Sequence, residues 1–98
     1  MNYTDLINSS KVTVVEFFAT WCPHCQRMMP VVAQVKELVG QNADIVQLDI
    51  DSNQEPSQEA DVQSVPTFIV YRDGREVWRQ SGEVEGELLL SQIEKAMK

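Results

Sequence analysis

An apolar segment that runs directly into a pair of cysteines constrains the fold of this chain more than any other feature. Residues 12–19 are almost continuously apolar and rich in valine and phenylalanine, and Cys22-Pro23-His24-Cys25 follows closely. Such a run is typical of a strand that is covered on both faces, and therefore of a central, partly parallel strand. Pro23 suits the first turn of a helix, where a missing N–H costs nothing. The sequence therefore predicts a central strand and then a helix that begins at the cysteines.

The position of the two cysteines at a helix start indicates redox chemistry. The positive end of the helix dipole and the unpaired backbone N–H groups both stabilise a thiolate, which is the reacting form of cysteine. Cys25 follows Cys22 by one helical turn, close enough to form a disulfide. A structural or metal-binding pair is the alternative, but tetrahedral zinc takes four ligands, and the motif adds only His24 to the two thiols. We therefore predict a redox pair with no metal and no cofactor.

Hydrophobic periodicity in the rest of the chain predicts an α/β domain. Helices are expected over residues 4–8, 23–39, 56–62 and 87–97, and strands over residues 12–19, 45–50, 67–71 and 76–81. The first two strands flank a helix and should be parallel with a right-handed crossover, whereas Asp73-Gly74 predicts a hairpin between the last two. The expected fold is a single domain over residues 1–98, with a mixed four-stranded sheet that carries helices on both faces.

The acidic composition argues against one class of function. The formal net charge is −7, whereas binding to nucleic acid needs clustered Lys and Arg. No apolar run approaches the length of a membrane span, and no basic segment followed by an apolar one marks a signal peptide. We therefore expect a cytoplasmic protein that binds neither nucleic acid nor membrane. The sequence leaves open a mature extracytoplasmic domain.

Several motifs taken together resemble those of thioredoxins over nearly the whole chain. Thioredoxins share a redox motif, a helix-kinking proline, a cis-proline loop, a hairpin and a glycine beside the substrate groove. The similar residues here, in that order, are Trp21-Cys22-x-x-Cys25, Pro30, Val65-Pro66-Thr67, Asp73-Gly74 and Gly82. A lone Cys-x-x-Cys is weak evidence, but the same motif with a proline about forty residues later is specific. The resemblance implies the thioredoxin fold.

The resemblance also implies an activity, which is dithiol–disulfide exchange with the disulfides of other proteins. Cys22 is then the exposed nucleophile that attacks the partner disulfide, and the more buried Cys25 resolves the mixed disulfide. A thioredoxin reductase is the implied electron donor. Two alternatives stay open: a dithiol oxidase or disulfide isomerase with the same fold, and a non-catalytic module that holds a partner in the groove beside Pro66.

Roles for the residues around the thiols follow from the same resemblance. Trp21 is expected to form a platform beside them that contacts the partner, with packing alone as the alternative. The backbone of Val65 would pair with an extended substrate chain, and cis-Pro66 would hold that edge in shape. A trans Pro66 at the start of an edge strand is the other interpretation. Gly82 would flank the groove.

One departure from the family pattern concerns a carboxylate. Glu16 occupies the place of a buried aspartate and would accept or relay the proton of Cys25, whereas Gln47 stands where many members have a lysine. A carboxylate buried in an apolar strand should have a raised pKa. The alternative is a Glu16 side chain that points into solvent.

Two further departures concern the redox motif and the sheet. Pro23-His24 replaces the common Gly-Pro and resembles bacterial periplasmic disulfide oxidases, so that an imidazolium at His24 should stabilise a thiolate. The alternative is an exposed His24 with no role. The first strand usual in the family is missing, which should place residues 45–50 at a sheet edge. We therefore expect a monomer that dimerises weakly.

Overall fold

The computed structural model describes residues 2–98, which form four α-helices, one short 3-10 helix (Gly40–Asn42) and four strands. The helices are α1 (Tyr3–Ile7), α2 (Pro23–Val39), α3 (Gln54–Glu59) and α4 (Gly86–Met97). The strands are β1 (Val12–Phe18), β2 (Asp44–Asp49), β3 (Thr67–Arg72) and β4 (Arg75–Ser81). Every predicted element is present, in the predicted order.

The four strands form one mixed sheet in the order β2-β1-β3-β4. β1 pairs in parallel with β2, where Val15 lies opposite Val46, and antiparallel with β3, where Val15 lies opposite Ile69. Residues 12–17 of β1 are all buried, as expected for a strand covered on both faces. The predicted central strand and the predicted edge position of β2 are both confirmed.

Alternation along β1 divides the core between the two faces of the sheet. On one face, Val14 lies in a cluster with Met28 of α2 and Leu89 of α4. On the other face, Phe17 lies in a cluster with Tyr3 of α1. Helices therefore cover both faces of the sheet, as predicted, and α2 is packed with its first turn at the end of β1.

The position of α3 differs from the prediction at both ends. The sequence predicts a helix from Pro56 to residue 62, whereas α3 begins at Gln54 and ends at Glu59. Because the first N–H groups of a helix have no intrahelical partner, a proline without an N–H is accommodated at the third position. The helix ends early because Asp61 has a φ of 55°, a left-handed conformation that cannot continue it.

The predicted hairpin is confirmed at Asp73-Gly74. Both residues have a positive φ, 52° and 80°, which is the pattern of a type I′ turn. A Cβ on Gly74 would meet the amide group of the exposed Asn8 side chain, which would have to move, and the positive φ favours glycine here. The turn therefore packs closely against the residue that follows α1.

Candidate active site

The two cysteines lie at the N-terminus of α2, directly after β1. Cys22 is the N-cap residue: its sulfur accepts a hydrogen bond from the backbone N–H of Cys25 at 3.2 Å. Its carbonyl oxygen accepts the N–H of Gln26 at 3.0 Å. The sulfur thus takes the place of the side-chain oxygen that caps most helices, and the helix N-terminus stabilises negative charge on it. Both thiols are free.

Cys22 is buried, so the prediction that it is exposed was wrong. The exposed fraction is 4% for Cys22 and 3% for Cys25. The Cys22 thiol faces the loop before β3, and its sulfur lies 3.8 Å from the carbonyl oxygen of Val65. The two thiols differ in another way, because Cys22 lines a surface groove and Cys25 is not part of that lining. Of the two thiols, only that of Cys22 therefore borders the groove.

The groove beside Cys22 has a volume of about 430 Å³. Its lining includes Trp21 on one side and Ser64 and Val65 from the loop before β3. Trp21 is 64% exposed, and its indole N–H donates to Oδ2 of Asp51 at 3.0 Å. A large aromatic surface therefore faces solvent beside the thiols, which is where the sequence predicts a platform. Its contact with a partner stays a prediction.

The loop opposite the cysteines is hydrogen-bonded to the residue that follows β4. The Val65–Pro66 peptide bond is cis, as the resemblance implies. The Pro66 carbonyl accepts the N–H of Gly82 at 2.8 Å, and the φ of 90° at Gly82 favours glycine. Val65 lines the groove, whereas Pro66 and Gly82 do not. The backbone edge of this loop that reaches the groove is therefore that of Val65.

Glu16 is a buried carboxylate on the strand that leads to the cysteines. Its exposed fraction is 2%, and its Oε1 accepts a hydrogen bond from Nε2 of Gln47 at 2.9 Å. Burial raises the pKa of the Glu16 carboxyl, and the hydrogen bond from Gln47 opposes that rise without cancelling it. The predicted burial of Glu16 and the predicted direction of its pKa are both confirmed.

Burial also raises the pKa of the Cys25 thiol, to about 12. The hydrogen bond with Cys22 and the negative charge of Glu16 add to this rise, and a backbone hydrogen bond at Ala19 opposes it. Cys25 is therefore protonated at neutral pH. Since only a thiolate attacks a disulfide, the proton of Cys25 must be removed before this thiol can react.

His24 lies in a cluster of charged side chains next to the cysteines. Its Nδ1 is 2.7 Å from Oε2 of Glu83 and 2.8 Å from Nη2 of Arg27. Arg27 also donates from Nε to Oε2 of Glu83 at 3.0 Å. The hydrogen bonds from Arg27 and His24 lower the pKa of the Glu83 carboxyl. His24 also lines the groove, so it is part of the site rather than an isolated surface residue.

Three residues of this site were missed in the sequence: Asp51, Arg27 and Glu83. Asp51 lies 30 residues from Trp21, and Glu83 lies 59 residues from His24, so no local spacing connects either pair. Arg27 follows His24 by three residues on α2, and this helical spacing is a signal that could have indicated the contact.

The acidic and thiol side chains form no metal centre in the part of the chain that the structure describes. Within residues 2–98, no group of three or more His, Cys, Asp or Glu side chains is arranged to hold a metal ion.

No helix among these residues is long and apolar enough to cross a membrane.

Comparison with known proteins identifies relatives over nearly the whole chain. A family model described as Thioredoxin matches residues 1–95. Thioredoxin from Mycobacterium tuberculosis is 33% identical over 90 residues, which are 92% of this chain and 78% of that protein. Thioredoxin Y, chloroplastic, from Oryza sativa subsp. japonica is 32% identical over 93 residues, which are 95% of this chain and 55% of that protein. The chain thus spans about half the length of this chloroplastic relative.

Solved structures agree with the sequence relatives. A mutant thioredoxin from Halobacterium salinarum NRC-1 has a TM-score of 0.87 at 29% identity, covering 97% of this chain and 82% of that one. Oxidized mitochondrial thioredoxin 3 from Saccharomyces cerevisiae has a TM-score of 0.85 at 26% identity, and the match covers 95% of this chain and 86% of that one. The chain therefore belongs to the thioredoxin family. The predicted family and fold are confirmed.

Proposed function

We propose that this protein reduces disulfides of partner proteins with its Cys22/Cys25 dithiol, as a thioredoxin-type reductant. The observation that carries the proposal is the position of the Cys22 sulfur, which caps the N-terminus of α2 and lines the groove opposite Val65. The helix N-terminus stabilises a thiolate there, and the groove gives a partner disulfide access to it.

The exchange has two steps. The Cys22 thiolate attacks one sulfur of the partner disulfide and forms a mixed disulfide, while the other partner sulfur leaves as a thiolate and takes up a proton. Cys25 then loses its proton and attacks the Cys22 sulfur, so that the second partner thiolate leaves and is protonated. Two electrons pass to the partner, and Cys22 and Cys25 end as a disulfide.

Glu16 is proposed to accept or relay the proton of Cys25. Burial raises the pKa of both groups, so a proton transfer between them is less uphill than one to an ordinary carboxylate. The charge of Glu16 contributes to the raised pKa of Cys25, which supports a role for the two groups in one proton transfer. Gln47 holds the carboxylate in place through its hydrogen bond to Oε1.

The groove is proposed to bind an extended segment of the partner. The Val65 backbone would pair with that segment as an added strand, and cis-Pro66 would keep the loop in shape. Trp21 offers the exposed apolar surface next to it. Nothing lies within 4 Å of the point where a Cβ would sit on Gly82, so the absence of a side chain there leaves open space for a partner beside the groove.

The cellular setting is proposed from the same chemistry. The proposed electron donor is a thioredoxin reductase, as for thioredoxins in general. A reducing compartment would keep the pair in its dithiol form, and we propose the cytoplasm. Residues 1–98 are proposed to act as one domain, because the clusters on both faces pack against the same sheet. We propose a monomer that associates weakly through the edge of β2.

A dithiol oxidase or isomerase is the second candidate, and the observation that favours it is His24. An imidazolium at the mouth of the groove would stabilise the reduced form and make the disulfide a stronger oxidant. Rates of oxidative refolding of a reduced, unfolded protein decide between the two directions. A protein that inserts disulfides faster than it removes them would support the oxidase.

Insulin reduction by dithiothreitol, with and without the protein, tests the proposed reductant. Catalysis is expected to speed the reaction, whereas a non-catalytic binding module would leave the rate unchanged. Cys25→Ser should accumulate a mixed disulfide with insulin, because the resolving thiol is gone. Cys22→Ser is the matched control and should accumulate none. Accumulation with Cys22→Ser alone would reverse the two roles.

A further inference from the structure

The cluster of His24, Arg27 and Glu83 lies beside the redox pair, and the exchange reaction itself does not require it. Oε2 of Glu83 is its centre. This oxygen lies 3.0 Å from Nε and 2.9 Å from Nη2 of Arg27, and 2.7 Å from Nδ1 of His24. The Glu83 side chain is only 39% exposed, compared with 60% for His24. Glu83 is therefore in contact with both cationic side chains of the first two turns of α2.

The chemistry of the imidazole makes these contacts informative. Nδ1 of His24 can carry a proton and donate to Glu83, or it can present a lone pair and accept from Nη2 of Arg27, but it cannot do both at once. In each protonation state one of the two neighbours satisfies Nδ1. The hydrogen bond from Nε of Arg27 to Glu83 and the ion pair of Nη2 with the same carboxylate oxygen hold these neighbours together. Nδ1 of His24 therefore has a partner in both states.

The cluster lies near Cys22, because His24 follows Cys22 by two residues and both line the groove. Positive charge near this sulfur stabilises its thiolate and hence the reduced form, which makes the disulfide a stronger oxidant. Arg27 and Glu83 carry opposite charges, so with a neutral imidazole the cluster has no net charge. With an imidazolium it has one positive charge instead of two. Glu83 thus offsets one of the two positive charges that an imidazolium at His24 and the guanidinium of Arg27 would place at the start of α2.

We propose that Glu83 is a positioning residue that holds His24 and Arg27 together and offsets one of their charges, and so keeps the disulfide less oxidising than it would be without Glu83. The inference rests on the proposed thiol–disulfide exchange. The site assigned here is the surface formed by the start of α2 and the residue after Gly82.

The test is the equilibrium of the Cys22–Cys25 disulfide with glutathione, measured by thiol alkylation. Glu83→Gln should shift this equilibrium about two- to fivefold toward the reduced protein, as expected for the loss of one partly screened charge. Glu85→Gln is the matched control, because it removes the same charge two residues away and has no ion pair among the residues that the structure describes. It should shift the equilibrium much less.

Two further measurements separate positioning from a general charge effect. In a background with His24→Gln and Arg27→Gln together, the effect of Glu83→Gln should fall to the level of the Glu85→Gln control, because neither partner then holds the carboxylate at the start of α2. His24 is the only histidine of the chain, so its ring nitrogens give a single set of NMR signals. These signals should move with Glu83→Gln and stay in place with Glu85→Gln.

An unchanged equilibrium in Glu83→Gln would overturn the inference while leaving the proposed exchange intact. An undiminished shift in the background that lacks both His24 and Arg27 would overturn it too, since Glu83 would then act without either side chain. A wild-type protein that forms no Cys22–Cys25 disulfide with glutathione would overturn both this inference and the proposed function.

Discussion

Replacing Glu16 with leucine should stabilise the fold at neutral pH and slow the release of the reduced partner. The carboxylate is 2% exposed, and the structure gives it one hydrogen bond, from Gln47. Replacement of a buried ion pair by apolar side chains of similar volume is often neutral or stabilising by about 1–4 kcal/mol, and among the described residues Glu16 has no ion pair that the change would break. Gln47 is exposed and can bond to water instead, so the lost hydrogen bond subtracts little. We expect a net gain of about 1–3 kcal/mol at pH 7.

The gain should depend on pH with a defined sign. Because burial raises the pKa of Glu16 in the folded state, folding favours the protonated carboxyl. Below the unfolded pKa of about 4.3 the proton is bound in both states, and the penalty for burying a charge is absent. As the pH rises through the folded pKa, the wild type loses stability relative to the variant. Urea unfolding between about pH 4 and pH 8 measures this difference.

The same substitution should slow the second exchange step. The thiol of Cys25, with its pKa raised to about 12, loses its nearby proton acceptor. General bases contribute on the order of 10²–10⁴-fold, so a decrease of at least about tenfold in the decay of the mixed disulfide is expected. Glu16→Gln is the matched control: it keeps the shape and a polar group but cannot accept the proton. It should slow the decay similarly and stabilise the fold less than leucine.

A Glu16→Leu protein that is less stable than wild type at pH 7 and resolves the mixed disulfide at the wild-type rate would refute this reasoning. The carboxylate would then be a stabilising group with no part in the transfer of the Cys25 proton. Stabilisation without a change in rate would refute the proton-transfer role alone.

Three other predictions follow from the redox motif, the sheet edge and the hairpin. The reduction potential is expected at about −250 to −190 mV, above plain thioredoxin near −270 mV. Pro23→Gly combined with His24→Pro should lower this potential, as measured by equilibration with glutathione. A wild-type value at or below about −270 mV that the double substitution leaves unchanged would show that His24 does not set the potential. The open edge of β2 should produce self-association at roughly millimolar protein, and light scattering that shows only monomer there would remove the argument. Gly74→Ala should lower the free energy of unfolding by about 1–3 kcal/mol in urea, because alanine is strained at positive φ and the Asn8 side chain would have to move; an unchanged midpoint would contradict this.

Local patterns in the sequence determined the elements and their order. The apolar run of residues 12–19 required a strand covered on both faces, and that requirement places β1 in the centre of the sheet. Asp73-Gly74 determined the hairpin, because few other residue pairs adopt two positive φ values in succession. Cys22, Pro23 and Cys25 determined a thiol at a helix start by the same local rules. These features depend on steric contacts and hydrogen bonds between residues that are close together in the sequence.

Local sequence signals did not determine the first and last residues of α3. Pro56 is compatible with several positions in the first turn of a helix, so it did not determine where the helix begins. The end of the helix depends on the conformation of Asp61, which no strong glycine or proline signal marks. The prediction erred at both ends for these reasons.

Only the tertiary structure decided what surrounds the reacting groups. The burial of Cys22 comes from the loop at Val65, 43 residues away, and the neighbour of His24 is Glu83, 59 residues away. Contacts at such separations follow from the packing of whole elements, since β4 and the turn after it must first be placed beside α2. The sequence by itself therefore determined a thioredoxin-like fold with a cysteine pair at a helix start. The charge and the solvent access around that pair were decided by long-range packing, which brings side chains that are far apart in the sequence within a few ångströms of one another.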